Sequence, residues 1–167
     1  MTAPLFDYSI DYSKIDFRAT PQLYRTGVGE QGVLLVEPYK SELLPLWKFK
    51  TPILARRSAA AIYSRFVAFA KANDFVGMDM ARKFLQMGYT RSRRYANHKS
   101  GKKYAGPVPL DKKGISGAHG RTQLPLDPDE EKAKSAAIFF EVWQKAKRHR
   151  KYQSMLHAHK QEYSLKS

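Results

Sequence analysis

Between residues 51 and 90 the apolar positions recur at helical spacing. Ile62, Phe66, Phe69 and Ala70 share one face of a segment that ends near Asn73 and for which Ser58 is the candidate cap. From Asp74 to Met87, the residues Val76, Met80, Phe84 and Met87 follow at intervals of four, four and three, and Gly88 reads as the stop. The two segments join at Asn73-Asp74 and predict a helical hairpin.

A further helix is announced by Asp127 at the cap position, Pro128 just inside it, and Asp129, Glu130 and Glu131 in a first turn that complements the helix dipole. Its predicted buried stripe is Ala133, Ala136, Ala137, Phe140 and Trp143, and it becomes basic beyond that point. The first fifty residues are less regular. Pro21 to Arg25 suggests a helical turn, Gly32 to Glu37 reads as a strand, and Leu46 to Lys50 could pair with it. From Gly101 to Pro128, glycines and prolines interrupt every period and predict a long irregular connection. The expected fold is mainly α with a small β element, an α+β single compact domain. It divides into an irregular or small β region (1–50), a helical hairpin (51–90), a basic loop region (91–126) and a C-terminal amphipathic helix (127–160).

Composition supports a folded protein and narrows its chemistry. Of 167 residues, 43% are apolar and 13% aromatic, too many for a disordered basic tail. A chain of this length buries enough surface to need neither disulfides nor a structural metal. It contains no cysteine, which excludes disulfide frameworks, zinc ribbons, iron–sulfur sites and thiol nucleophiles. The N-terminal residues carry three Asp before residue 17 and no apolar core, so they do not read as a signal peptide. Apolar runs such as Val33 to Val36 are far below membrane-spanning length. The expectation is a soluble, cytoplasmic protein.

Charge changes the picture most. There are 30 Lys and Arg against 15 Asp and Glu, a formal net charge of +15. Residues 1–50 are balanced, whereas residues 91–126 carry nine cations and one anion. More than half of the net charge therefore sits in about a fifth of the chain, a local feature that points to a polyanionic partner.

The strings FDYSIDYSKIDFR, LYRTGVGEQGVLLVEPYKSELLPLWKFKTP, DFVGMDMARKFLQMGYTRSRRYANHKSGKKY and KAKSAAIFFEVWQKAK together resemble a family of small bacterial and phage proteins known as a domain of unknown function. The resemblance spans most of residues 6 to 147. It implies a single cytoplasmic domain and transfers no catalytic residue.

The strongest candidate site is Tyr89, Arg91, Arg93, Arg94, Tyr95, Asn97, His98, Lys99, Lys102, Lys103 and Tyr104. Cations at this density neutralise phosphates, Arg offers a bidentate fork, and Tyr can stack on unpaired bases. Lys112, Lys113 and Arg121 extend the patch, and Lys147, Arg148, Arg150 and Lys151, beside Lys145, form a second basic group. The competing structural reading is that the arginines pair with carboxylates and the lysines are solvated. No helix-turn-helix, zinc-finger or homeodomain signature is present, so contact is expected to be weakly sequence-specific.

Other constellations are weaker. The glycine-rich stretch from Gly27 to Gly32 lacks the strand–loop–helix context of a nucleotide loop and reads as a tight hairpin. His157 and His159 are two apart, which suits a metal pair on a strand but diverges on a helix. Asp74 and Asp79 are five apart and do not converge as nuclease carboxylates would. No cofactor and no metal site is expected.

The sequence thus predicts a non-enzymatic nucleic-acid-binding protein. Two rivals remain: a regulator docking on an acidic protein surface through anchors such as Tyr39, Trp47 or Tyr104, and an enzyme acting on a phosphorylated substrate through Arg91, Arg93, Arg94 and His98. Insertion into a membrane surface is not expected, because neither basic segment has a free Trp and Leu face.

Overall fold

Helix α2 (Pro52–Lys71) begins where Thr51 accepts a hydrogen bond from the Leu54 N–H at 3.2 Å and Pro52 fills the first helical position. Ser58 is therefore not the cap. It is buried within α2, and its hydroxyl accepts from the Lys48 N–H at 2.9 Å. The chain reverses at Asn73, held in the left-handed region at φ 56°. Asp74 then caps α3 (Phe75–Asn97), accepting from the Gly77 N–H at 2.9 Å. The predicted hairpin is present.

The computed structural model describes residues 6–98, 104–114, 117–124 and 129–163. Besides α2 and α3, the helices among them are α1 (Tyr39–Leu43), α4 (Glu130–Arg148) and α5 (Arg150–Tyr163), with 3-10 turns at Tyr12–Lys14, Pro21–Leu23, Leu44–Leu46 and Leu110–Lys112.

The expected β element is not found: no strand forms among the described residues, and the nearest approach is one antiparallel bridge between Tyr104 and Gln123. Local turns take its place. In the run from Gly32 to Glu37, the Leu35 N–H bonds to the Gly32 carbonyl and the Lys40 N–H to that of Val36, so Val33 and Val36, three apart, point inward. Leu34 and Leu35 are exposed. A strand would have buried alternate residues, so the register itself rules one out. The second expected strand finds no partner, because Lys48 bonds to Ser58 instead.

Gly88 does not stop α3. The helix continues to Asn97, and a Cβ at Gly88 would collide with the Phe139 ring of α4. A close approach of α4, not a terminus, explains the glycine. As a result, Arg91 to Asn97, expected to open a basic loop, are helical.

Helix α4 lies antiparallel to α3: the Asp129 N–H donates to the Ala96 carbonyl at 2.7 Å, and the Lys132 ammonium reaches the Lys50 carbonyl at 2.5 Å. Asp129 is the cap, accepting from the Lys132 N–H at 3.2 Å, while Asp127 and Pro128 fall outside the described residues. The buried positions of α4 are Ser135, Ala136, Phe139 and Ala146, whereas Phe140 is 43% exposed. The stripe is rotated from the expected one because α4 packs against α2 and α3 together. The basic segment is not one continuous helix either: His149 adopts an extended conformation and turns the chain into α5.

Helices α2, α3 and α4 share one core with the N-terminal segment. That segment is held by a run of rings, Phe6 on Tyr12 (5.1 Å), Tyr12 on Phe17 (5.7 Å), Phe17 on Tyr24 (6.2 Å) and Tyr24 on Phe75 (6.4 Å). Stacked and edge-on rings supply the packing that a sheet was expected to provide. No described helix is long and apolar enough to cross a membrane.

Candidate nucleic-acid interface

The last two turns of α3 set out the basic patch with a fixed geometry. Arg91, Arg93 and Arg94 are exposed, and among the described residues no carboxylate lies within ion-pairing distance of any of them. At about 100° per residue, Arg93 and Arg94 diverge by about 100° and Arg91 and Arg93 by about 160°. The three guanidinium groups fan across nearly half of the helix. Arg91 and Arg94 lie toward Glu30, which accepts a hydrogen bond from the Thr90 hydroxyl at 3.0 Å. Burial raises the Glu30 pKa, and Thr90 with the nearby arginines opposes that rise.

The aromatic part of the patch is occupied. Tyr89 stacks on Trp143 (5.7 Å) and meets Phe140 (5.1 Å), sealing the α3–α4 seam. Tyr95 packs on Phe49 at 5.7 Å, with the Lys132 ammonium over its ring at 5.9 Å. His98 is buried, and Asn97 is half-buried. Tyr104 carries the Arg121 guanidinium over its ring at 4.9 Å, and Arg121 also donates to the carbonyls of Gly117 and Ala118. Of the expected site residues, the structure exposes Arg91, Arg93 and Arg94 and commits both α3 tyrosines to packing. Lys99, Lys102 and Lys103 lie outside the described residues.

The second basic group stands at the other end of α4. Lys147, Arg148 and Arg150 are exposed and Lys151 is half-buried. Lys147 sits over the Trp143 ring at 5.0 Å, so the ring that stacks on Tyr89 also carries a lysine. Along α3, Arg82, Gln86, Tyr89 and Arg93 succeed one another at spacings of four, three and four, on one face.

Sequence reasoning missed the ionic cluster beneath it. Asp79, Arg82 and Lys83 are all buried in α3. One Asp79 oxygen accepts from Arg82 Nη2 at 2.6 Å and from the Tyr152 hydroxyl at 2.7 Å, and the other accepts from the Tyr24 hydroxyl, with Lys83 Nζ at 3.8 Å. Burial pushes the Asp79 carboxyl up, but Arg82, Lys83 and the two tyrosines together hold it down at about 2. Burial also lowers the Lys83 ammonium, to about 7, against the pull of Asp79. The glycine-rich stretch is bound to this cluster: Arg82 donates to the Gly29 carbonyl at 2.6 Å and Lys83 to that of Gln31 at 2.6 Å. It is a clamp around two cations rather than a hairpin. The signal was three charges at i, i+3 and i+4 within an otherwise apolar run, Val76 to Met87.

His157 and His159 are both on α5 and diverge as a helix requires. His159 is enclosed by Phe75 (4.9 Å) and Tyr163 (4.7 Å). Among the described residues no group of three His, Asp or Glu could hold a metal ion.

The chain belongs to a family defined as a domain of unknown function, DUF4385, whose match covers residues 7–162. No curated protein and no solved structure matches it.

Proposed function

We propose that this protein binds nucleic acid without transforming it, through phosphate contacts made by Arg91, Arg93 and Arg94 and assisted by Lys147, Arg148, Arg150 and Lys151. The observation that carries the reading is the exposure of three arginines on a packed helix, none within ion-pairing distance of a carboxylate among the described residues, in a chain of net charge +15. A fixed helix loses little order on binding, and guanidinium groups match phosphate geometry. Because Tyr89 and Tyr95 are spent on packing, base stacking is a minor contribution and the phosphates dominate. Binding is therefore weakly sequence-specific and strongly salt-dependent.

Of the three anchors named for an acidic protein partner, Tyr39 is buried, with its hydroxyl on Asp74 at 2.6 Å, and Trp47 and Tyr104 are half-buried. An enzyme for phosphorylated substrates would need His98 as proton carrier, and His98 is buried. A cytoplasmic location and a bacterial or phage setting fit the reading and belong with it.

Fluorescence anisotropy of labelled single-stranded DNA, duplex DNA and RNA with nuclease-treated protein tests the proposal. With about six phosphates neutralised, log K falls with log salt at a slope near −5 on duplex DNA. Reversing Arg93 and Arg94 to Glu abolishes binding and leaves the helical circular dichroism intact. Binding no tighter than that of an unrelated protein of equal charge overturns the reading.

A further inference from the structure

The ionic cluster opens on one side into a cleft of about 470 Å³ between the Thr26–Gly29 turn and the α4–α5 corner. Arg82, Lys147 and Lys160 line it, and no carboxylate does. A larger depression of about 840 Å³ elsewhere is lined by Arg18 and Arg65 but also by Glu42, Asp74 and Glu162, so it has no preference of charge. The smaller cleft has one.

Its lining residues also carry polar groups without a hydrogen-bond partner among the described residues. Six buried side-chain polar atoms among the described residues lack a partner, and two of them, Thr26 Oγ1 and Trp143 Nε1, belong to residues of this cleft. Thr26 is only 2% exposed. An unpaired hydroxyl at that depth is costly unless a ligand or water completes it. Gln86 and Gln153 add amides already held on one side, the Gln86 oxygen accepting from Arg82 Nη1 at 2.8 Å and the Gln153 nitrogen donating to the Lys147 carbonyl at 3.0 Å, so that the Gln86 nitrogen can donate and the Gln153 oxygen accept, while Val28 and Leu156 supply apolar walls. Arg82 is held at the rear by Asp79 and by the Gly29 carbonyl, so its guanidinium is fixed before any ligand arrives.

A bare phosphate would leave most of this volume empty. The cations call for a phosphate, the amides and hydroxyl for a ring bearing donors and acceptors, and the volume for a unit of mononucleotide size. We propose that the cleft binds a nucleoside monophosphate, its phosphate between Lys147 and Lys160 and its base against Thr26, Gln86 and Leu156. The nucleotide is either free or the terminal unit of a strand. In the second form the inference rests on the nucleic-acid reading: Arg93 lies about 16 Å along α3 from Arg82, a span of two to three nucleotides, so a strand leaving the cleft would reach the exposed arginines. In the first form it stands without that reading.

Isothermal titration with the four ribonucleoside 5′-monophosphates, the matching nucleosides and inorganic phosphate tests the cleft on the intact protein. At least one monophosphate binds about ten-fold tighter than its nucleoside and than inorganic phosphate, the loss expected when a charge-assisted contact or the ring contacts are removed. Lys147→Glu and Lys160→Glu each weaken it by about ten-fold, and Thr26→Val by about three-fold, whereas Lys134→Glu, an exposed charge change elsewhere on α4, has no effect. Circular dichroism confirms that the variants are folded. No preference for any monophosphate over its nucleoside, or an equal loss in Lys134→Glu, overturns the proposal. A second arm compares 5′-phosphorylated with 5′-hydroxyl oligonucleotides: a preference for the phosphorylated end identifies the strand terminus as the source, and equal binding identifies the free nucleotide. If oligonucleotides fail to bind while a monophosphate does, the nucleic-acid reading falls and the cleft remains.

Discussion

The Asp79 carboxylate and the Arg82 guanidinium meet at 2.6 Å, one turn apart on α3, and both are buried. Lys83 lies on the next position and makes the buried site doubly cationic against a single carboxylate. The cluster reaches out of α3 to four residues in two other parts of the chain, Tyr24, Gly29 and Gln31 in the N-terminal segment and Tyr152 in α5. It joins the irregular N-terminal segment and α5 to the central helix.

Removing the carboxylate leaves the buried Arg82 guanidinium without its counter-charge and Lys83 without the group that favours its ammonium. Asp79→Asn, which preserves shape, is expected to cost about 3–5 kcal/mol, the range for breaking a buried ion pair from one side. Tyr24→Phe removes one hydroxyl from the same carboxylate and costs about 1.5–3 kcal/mol. Urea denaturation of the three proteins measures both, and losses below about 1 kcal/mol would show that the cluster is not a main support of the fold.

Lys83 gives stability a dependence on pH. In the folded protein its amine releases its proton near 7, against 10.5 for a lysine free in water. Between those values the unfolded chain holds the extra proton, so stability increases with pH, by at most about 1.4 kcal/mol per unit. Below about pH 7 both states are protonated and this contribution is flat. Asp79 acts in acid: with a pKa of about 2 against 3.8, its stabilisation is complete above about pH 4 and is lost as pH falls through 2. Lys83→Met should flatten the rise between about pH 7 and 9.5, read from urea midpoints across that range; an unchanged slope would assign the rise to other groups.

Gly88 tests the seam that positions the arginines. Gly88→Ala drives a methyl into the Phe139 ring, where something must shift. The expected cost is about 1–3 kcal/mol from overpacking, larger than the helix-propensity gain of about 1 kcal/mol that Ala would bring in an open helix. Adding Phe139→Leu, which removes the ring, should recover part of the loss. If Gly88→Ala is instead more stable than the parent in thermal unfolding, the close approach of α4 is not limiting.

The helical hairpin was legible because both of its signals are local. Ile62, Phe66 and Phe69 recur at the helical period, and Asp74 is a capping residue placed where the next period begins. The exposed arginines were legible too, since a dense run of cations finds few carboxylates wherever it falls. Three features were not legible. Gly88 is a stop or a contact depending only on whether another helix passes over it, and Phe139 lies about fifty residues away in the sequence. The β-branched run from Gly32 to Glu37 has strand propensity, yet without a partner strand its backbone bonds close locally and bury Val33 and Val36 three apart. Tyr89 and Tyr95 suit stacking on a base or on a neighbouring helix equally well by chemistry, and the seam with α4 and Phe49 took them.

By itself, then, the sequence determined the helical period and the placement of charge, because each depends on residues within a few positions of one another. Only the tertiary structure decided that α3 continues into the basic patch, that Asp79, Arg82 and Lys83 face inward rather than to solvent, and that a cleft without carboxylates opens beside them. Those outcomes depend on which distant surfaces exclude water together, and that selection is made by packing across the whole chain.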